Sequence, residues 1–382
     1  MSGIRTLYSY TPPLISFLIL LFLPATEKLT EEEPITIFSG FRNVICQPAA
    51  AKSLTNTHTK NDEISMQEAI KLRDAGKPDA ALKVLDLALE KNALSEPLHT
   101  LRADLRNEMH NQEGAVADLN QSITLSPQKV ELFNKRARIF LRVSQLQAAE
   151  YDINHAFKLQ PDNNETLALR GGLYFKLNRH DKALQDLNKA ISRDKNNALA
   201  YFYRGAVEFR LKNFKSAIED YTTAIKLNPS NLAAYQSRGC AYGETGKYKA
   251  ALADFNIAAQ NKAETSHIYF NRGRVYRLMG DYTNAIKEFN TAIRCGLPEQ
   301  DSAVPVFLER ASVYLGMGRT DQAMIDVNHY LKSHGRDPRA YILRAQIYKQ
   351  MGNVAAELKD SARAKELGAT VGGVRPSVTA GK

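Results

Sequence analysis

The chain of 382 residues is 44% hydrophobic and carries 51 lysines and arginines against 41 acids, a formal charge of +10. So much apolar content excludes a disordered polyelectrolyte, and three cysteines exclude a disulfide-stapled scaffold. The basic excess leaves a polyanionic partner open.

The N-terminus opens with Arg5 and an apolar run from Leu14 to Ala25. At 12 residues the run suits the core of a secretory signal better than a spanning helix, which needs about 20. Residues 1–25 are therefore expected to be a signal peptide or an N-terminal membrane anchor. The protein is expected to be exported or membrane-tethered, in the periplasm or envelope; the cytoplasmic face of a membrane is the alternative. Lipid attachment at Cys46 is disfavoured, because Val44 and Ile45 before it are bulky. Residues 26–61 read as a polar linker with one short apolar patch, Ile35–Phe38, able to dock elsewhere.

From residue 62 onward one alanine sets the frame. It recurs as Ala81, Ala115, Ala149, Ala183, Ala217, Ala251 and Ala285, every 34 residues. A small residue keeps the same step from Ala69, Ala103 and Ala137 to Gly171, Gly205, Gly239 and Gly273. A third series runs from Ala88 and Ser122 to Ala258 and Ala292. A fixed period of this length marks an array of one supersecondary unit. In the unit 232–265, Tyr235, Gly239 and Tyr242 fall at i, i+4 and i+7, one face of a helix. Gly246 then breaks the pattern, and Ala251, Phe255 and Ala258 repeat it on a second helix. Small residues let the two helices approach, and aromatics fill the space between units. In 198–231, Pro229 ends the second helix. One unit cannot bury a core alone, so stacking supplies the burial.

This order of bulky residue, small residue and Tyr on one helix, then Ala, aromatic and Ala on the next, then Pro, resembles the tetratricopeptide repeat. The resemblance covers 62–371 in nine units: 62–95, 96–129, 130–163, 164–197, 198–231, 232–265, 266–299, 304–337 and 338–371. It implies an all-α, right-handed superhelical solenoid of helix-turn-helix repeats, with a concave groove lined by the first helix of each pair. Departures are local. His110, Ser144, Asn178 and Lys212 stand where the turn glycine belongs, and Glu357 replaces an alanine. Four extra residues, Gln300–Ala303, interrupt the period, and residues 372–382 read as a flexible tail.

One difference from the family runs through the array. Arg replaces the usual Leu before the small first-helix residue at Arg102, Arg136, Arg170, Arg204, Arg238, Arg272, Arg310 and Arg344. An acid accompanies it on the second helix: Asp118, Asp152, Asp186, Asp220, Asp254, Glu288, Asp326 and Asp360. The first unit lacks both, with Glu68 and Val84. Joint presence and joint absence predict a ladder of bridges, for which the guanidinium fork is suited. For Arg238, both Asp254 of its own unit and Asp220 of the preceding one are eligible. The pattern resembles the arginine-bearing repeats of bacterial proteins.

By the same resemblance, units four and five present Leu169, Phe175, Lys176, Phe202, Tyr203, Phe209 and Arg210 to the groove. Unit three adds Arg138 and Arg142, and unit seven adds Phe270, Asn271, Arg274 and Arg277. Unit six is bare there, with Gln236, Ser237, Cys240 and Gly243. An aromatic floor with basic flanks suits a peptide or an amphipathic helix. The acidic-tail clamp of chaperone-binding members needs Lys and Asn, then Asn, then Lys and Arg on successive first helices. Asn134 with Arg138, Leu169, and Leu199 with Tyr203 do not supply it.

No GxxxxGKS/T, HExxH, CxxC or GxSxG stretch occurs, and the histidines show no metal-ligand spacing. The chain is expected to be no enzyme and to hold no cofactor and no metal. Acids interleave with the basic residues, as in "RGAVEFRLKNFKSAIEDY", which disfavours nucleic acid as a partner. The expected function is a non-enzymatic protein–protein interaction scaffold or adapter, with membrane contact only through the N-terminal segment. RNA or another polyanion bound along the superhelix is the alternative.

Overall fold

A computed structural model describes residues 48–259, 265–296 and 305–368. The described residues form nine pairs of α-helices and no strand. The first five pairs are α1 (Pro48–Asp74) with α2 (Pro78–Lys91), α3 (Glu96–Glu108) with α4 (Gln112–Leu125), α5 (Val130–Arg142) with α6 (Leu146–Leu159), α7 (Asn164–Lys176) with α8 (His180–Arg193), and α9 (Ala198–Arg210) with α10 (Phe214–Leu227). The last four are α11 (Leu232–Glu244) with α12 (Tyr248–Ala258), α13 (Thr265–Leu278) with α14 (Tyr282–Arg294), α15 (Val306–Gly316) with α16 (Thr320–Ser333), and α17 (Pro338–Gln350) with α18 (Val354–Glu366). The chain is thus an all-α solenoid of helix pairs. From residue 58 onward the described residues form one compact unit, which holds the array.

The apolar run of residues 1–25, the tail 372–382 and the insertion Gln300–Ala303 lie outside the described residues. The linker expectation needs correction at its C-terminal end. Residues 48–61 are helical, because Pro48 starts α1 at the position that tolerates it best and Ala49, Ala50 and Ala51 are strong helix formers.

A three-residue turn joins the two helices of each pair, and its geometry recurs. After α3, His110 N–H donates to Asn107 O and Asn111 N–H to Arg106 O, a Schellman closure. The middle residue takes a left-handed φ. It is glycine in five of these turns, at Gly76, Gly246, Gly280, Gly318 and Gly352. In the other four it is His110, Ser144, Asn178 or Lys212, at φ +56° to +64°. Side-chain caps start the next helices: Asn111 accepts from Gly114 N–H and Asn163 from Thr166 N–H.

The core repeats with the sequence. Each alanine of the leading series, Ala81 to Ala285, has zero exposed surface. The small first-helix residues sit directly under second-helix side chains: a Cβ on Gly273 would come within 2.6 Å of the Phe289 ring. A methyl at that point is enough to separate the pair.

The arginines form the ladder. Arg136 Nε and Nη2 donate to the two oxygens of Asp152, and Arg170, Arg204, Arg238, Arg310 and Arg344 grip the acid of their own pair in the same bidentate way. Arg102 shares Asp118 with Arg106. The remaining Nη1 often reaches the preceding pair, as from Arg204 to Asn188 Oδ1 at 2.9 Å and from Arg344 to Asn328 Oδ1 at 2.8 Å. Each such arginine therefore ties three helices at once. Aromatic faces complete the site; the Arg170 guanidinium lies 3.8 Å from the centre of the Phe157 ring.

Candidate functional site: the groove of the first helices

A cavity of about 960 Å³ opens along first helices α3, α5, α7 and α9 and the start of α11. Its floor is aromatic, from Phe175, Phe202, Tyr203 and Phe209. The Phe202 and Tyr203 rings stand 5.4 Å apart, and Phe209 meets Phe214 edge-on at 5.4 Å. Tyr203 is seated by a glycine: a Cβ on Gly172 of α7 would lie 2.5 Å from its ring. Burial pushes the Tyr203 hydroxyl above its ordinary pKa, with the Arg138 charge partly opposing, so the phenol stays neutral.

The two long edges of the cavity differ in charge. The N-terminal ends of the first helices bring Glu131 and Glu165 to one edge. The C-terminal ends bring Arg142, Lys176 and Arg210 to the other, and each is the last residue of its helix. Both arrangements suit the helix dipole. Between the edges, Lys135 donates to Asp104 at 2.6 Å and Arg138 pairs with Glu165. Arg142 donates to the side-chain oxygen of Asn107. Among the described residues neither Lys176 nor Arg210 forms an ion pair. The arrangement can bury an apolar side chain and offer cations beside it.

The cavity brings together eight of the residues expected in the groove: Arg138, Arg142, Phe175, Lys176, Phe202, Tyr203, Phe209 and Arg210. It does not bring in the other five. Leu169 has no exposed surface and packs in the core with Leu141, Ile153 and Leu173. Phe270 is buried against Phe289, with ring centres 6.0 Å apart. Arg277 forms an ion pair with Glu309 of α15, Nε to Oε2 at 2.8 Å, and Arg274 sits between Glu244 and Glu309. Asn271 is half-buried on the same helix and does not line the cavity.

Sequence reasoning missed Lys135, Asp104, Asn107 and the seat at Gly172. A signal for Lys135 existed, since it holds the same repeat position as Tyr203. Among the described residues no group of three or more His, Cys, Asp or Glu side chains could hold a metal. Burial pushes the Cys240 thiol up to about 11, and neither Cys240 nor Cys295 is in a disulfide. No described helix is long and apolar enough to cross a membrane.

Models of the tetratricopeptide repeat match residues 171–212, 198–231 and 237–298. No curated protein sequence matches the chain. Among solved structures, the APC/C hetero-tetramer Cut9–Hcn1 is 16% identical at a TM-score of 0.62, covering 76% of this chain. This chain spans 56% of that one. The human IFIT1 dimer with PPP-AAAA is 21% identical at a TM-score of 0.52, covering 81% of this chain and 73% of the other. A tetratricopeptide repeat protein from Parabacteroides merdae is 19% identical at a TM-score of 0.48, covering 69% and 99%. At these identities the likeness is one of fold.

Proposed function

Because this chain is a tetratricopeptide repeat protein, we propose that it is a non-enzymatic scaffold whose first-helix groove captures a segment of another protein. The observation that carries this reading is the cavity itself. Five consecutive first helices contribute to one concavity whose floor is four aromatic rings. Aromatic anchors in a desolvated pocket, with a polar rim, are the usual energetic centre of a peptide site. The test is site-specific photo-crosslinking in cells of the source organism. A crosslinker at Phe209, in the groove, should trap a partner segment, whereas one at Tyr151, 66% exposed on the second helix α6, should not. Partner capture from Tyr151 alone would count against the groove.

The reading includes a location. The run Leu14–Ala25 behind Arg5 supports export or tethering, and with it an envelope location for the scaffold. Fractionation with N-terminal sequencing of the mature chain tests it; a soluble cytoplasmic protein retaining Met1 would remove it. The five cations on the cavity wall, Lys135, Arg138, Arg142, Lys176 and Arg210, favour a polyanion as the second reading. A steep fall of RNA affinity with salt would support that second reading.

A further inference from the structure

We propose that the groove selects acidic peptides: the occupant sets a bulky apolar side chain on the Phe202–Tyr203 floor and carboxylates against the row Arg142, Lys176 and Arg210. This rests on the groove being a peptide site and adds the partner's chemistry. The three cations hold one repeat position on three successive pairs, 34 residues apart. Between the edges Lys135 and Arg138 are already bound to Asp104 and Glu165. On this side Lys176 and Arg210 have no acidic partner among the described residues, and Arg142 has only the Asn107 amide. The cations between the edges are therefore neutralised within the protein, and the C-terminal edge keeps positive charge that a partner can meet.

Helix dipoles alone do not account for the row. A carbonyl end favours a cation, yet the same position on the neighbouring first helices α3 and α11 is Glu108 and Glu244. The cations are confined to α5, α7 and α9, while the aromatic floor rises from α7 and α9. A second feature ends at the same helix, α9, and begins one pair earlier. The glycine of the turn two residues further on is replaced only in the second to fifth pairs, by His110, Ser144, Asn178 and Lys212. These four pairs are the ones whose first helices form the body of the cavity. A side chain held at left-handed φ is a strain that five other turns avoid. Spacing follows from the stack. Packed helices stand about 8–10 Å apart and an extended strand rises about 3.3 Å per residue. Acids about three residues apart then meet successive cations.

The test is selection of random displayed peptides of about nine residues, a length that spans the row when extended. Panning uses the full chain, the variant Arg142→Gln/Lys176→Gln/Arg210→Gln, and the variant Phe202→Ala/Tyr203→Ala, with helicity checked by circular dichroism. Peptides enriched on the full chain should carry Asp or Glu beside an aromatic residue or leucine. They should lose about tenfold or more in affinity on the glutamine variant and weaken as salt rises. Enriched peptides without acidic bias, bound equally by the glutamine variant but lost on the alanine variant, would overturn the acidic assignment and leave the groove reading standing. No enrichment, or enrichment insensitive to both variants, would overturn both. Polyuridylate bound more tightly than any selected peptide, and lost on the glutamine variant, would assign the row to nucleic acid instead.

Discussion

Arg238 closes on Asp254 and not on Asp220. Its Nε and Nη2 each donate to Asp254 at 2.8 Å, and its Nη1 reaches Thr222 of the preceding pair at 3.1 Å. Asp220 is held by Arg204. The side chains of Arg238 and Asp254 are 15% and 6% exposed, so removing one strands a charge that water reaches poorly. Arg238→Leu should therefore cost about 3 kcal/mol, within the range for broken buried pairs. Arg238→Leu/Asp254→Leu should cost less than the single change, since neither charge is then left alone. Arg238→Leu/Asp220→Leu should cost at least the sum of its parts. Urea unfolding of the three single variants, Arg238→Leu, Asp254→Leu and Asp220→Leu, and the two double variants measures this; equal additivity in both pairs would remove the assigned partner.

The rung at Arg272 is the defective one. Glu288 stands where the other rungs carry aspartate, and only Nη2 to Oε1 forms, at 2.9 Å. Arg272 Nε and Glu288 Oε2 are buried without a partner. Glu288→Asp should restore the fork and stabilise the protein by about 1 kcal/mol. The pH dependence has a defined sign. Burial raises the Glu288 pKa above its ordinary value, with Arg272 and Lys287 opposing. A raised carboxyl stabilises the fold below its unfolded pKa and loses that stability as pH rises through the folded value. The advantage of Glu288→Asp should thus grow as pH climbs through that raised value and shrink in acid. Denaturation across this range checks it, and a pH-independent difference would exclude burial of the Glu288 charge as the cause.

Left-handed turns give the third expectation. A non-glycine residue at such a φ costs about 1–2 kcal/mol, and glycine returns part of that as unfolded-state entropy. Lys212→Gly, at φ +64°, and Ser144→Gly, at φ +60°, should each stabilise by about 0.5–1 kcal/mol. Asn178→Gly should gain least, because asparagine tolerates this region. Thermal melts decide it; a loss on Lys212→Gly would mean that its side chain contributes to the fold.

Much of this was legible in the sequence, and the limits have physical causes. The alanine period identified the fold because each such alanine is wholly buried within its helix pair, where a small residue lets the helices approach. The arginine–acid pairing was visible as joint presence and absence. Its choice of partner was not, since that depends on how the second helix lies across the first. The groove was partly legible. Leu169 and Tyr203 hold the same repeat position, but the seat beneath Tyr203 is Gly172 while its equivalent before Leu169 is Arg138. With no side chain on that seat, the Tyr203 ring lies over Gly172 in the cavity wall; Leu169 is held in the core. On α13 the repeat position said nothing of Glu309, which draws Arg274 and Arg277 together.

The four-residue interruption of the period is absorbed without loss of the ladder. Arg136, Arg204, Arg238 and Arg344 each reach a partner sixteen residues earlier, whereas Arg310 reaches Asn290, twenty residues earlier, at 2.6 Å. The difference equals the insertion, so the same spatial contact is made. The core also continues across the break, since Phe270, Phe289, Phe307, Leu308 and Val327 belong to one buried cluster. Between α14 and α15 stand the 11 residues Cys295–Pro305, whereas four, Asn228–Ser230 with Asn231, join α10 to α11. Deleting Gln300–Ala303 leaves seven, still more than the stack requires. Loop closure then changes by only about 0.4 kcal/mol. The deletion should keep helicity and the Arg310–Asn290 rung, and it should leave peptide affinity at the Phe202–Tyr203 floor unchanged. Urea unfolding and fluorescence anisotropy with a groove-binding peptide test this together. A loss above about 2 kcal/mol would mean that the extra residues pack against the array. An altered affinity with unchanged stability would instead make the interruption a joint through which the last two pairs act on the groove.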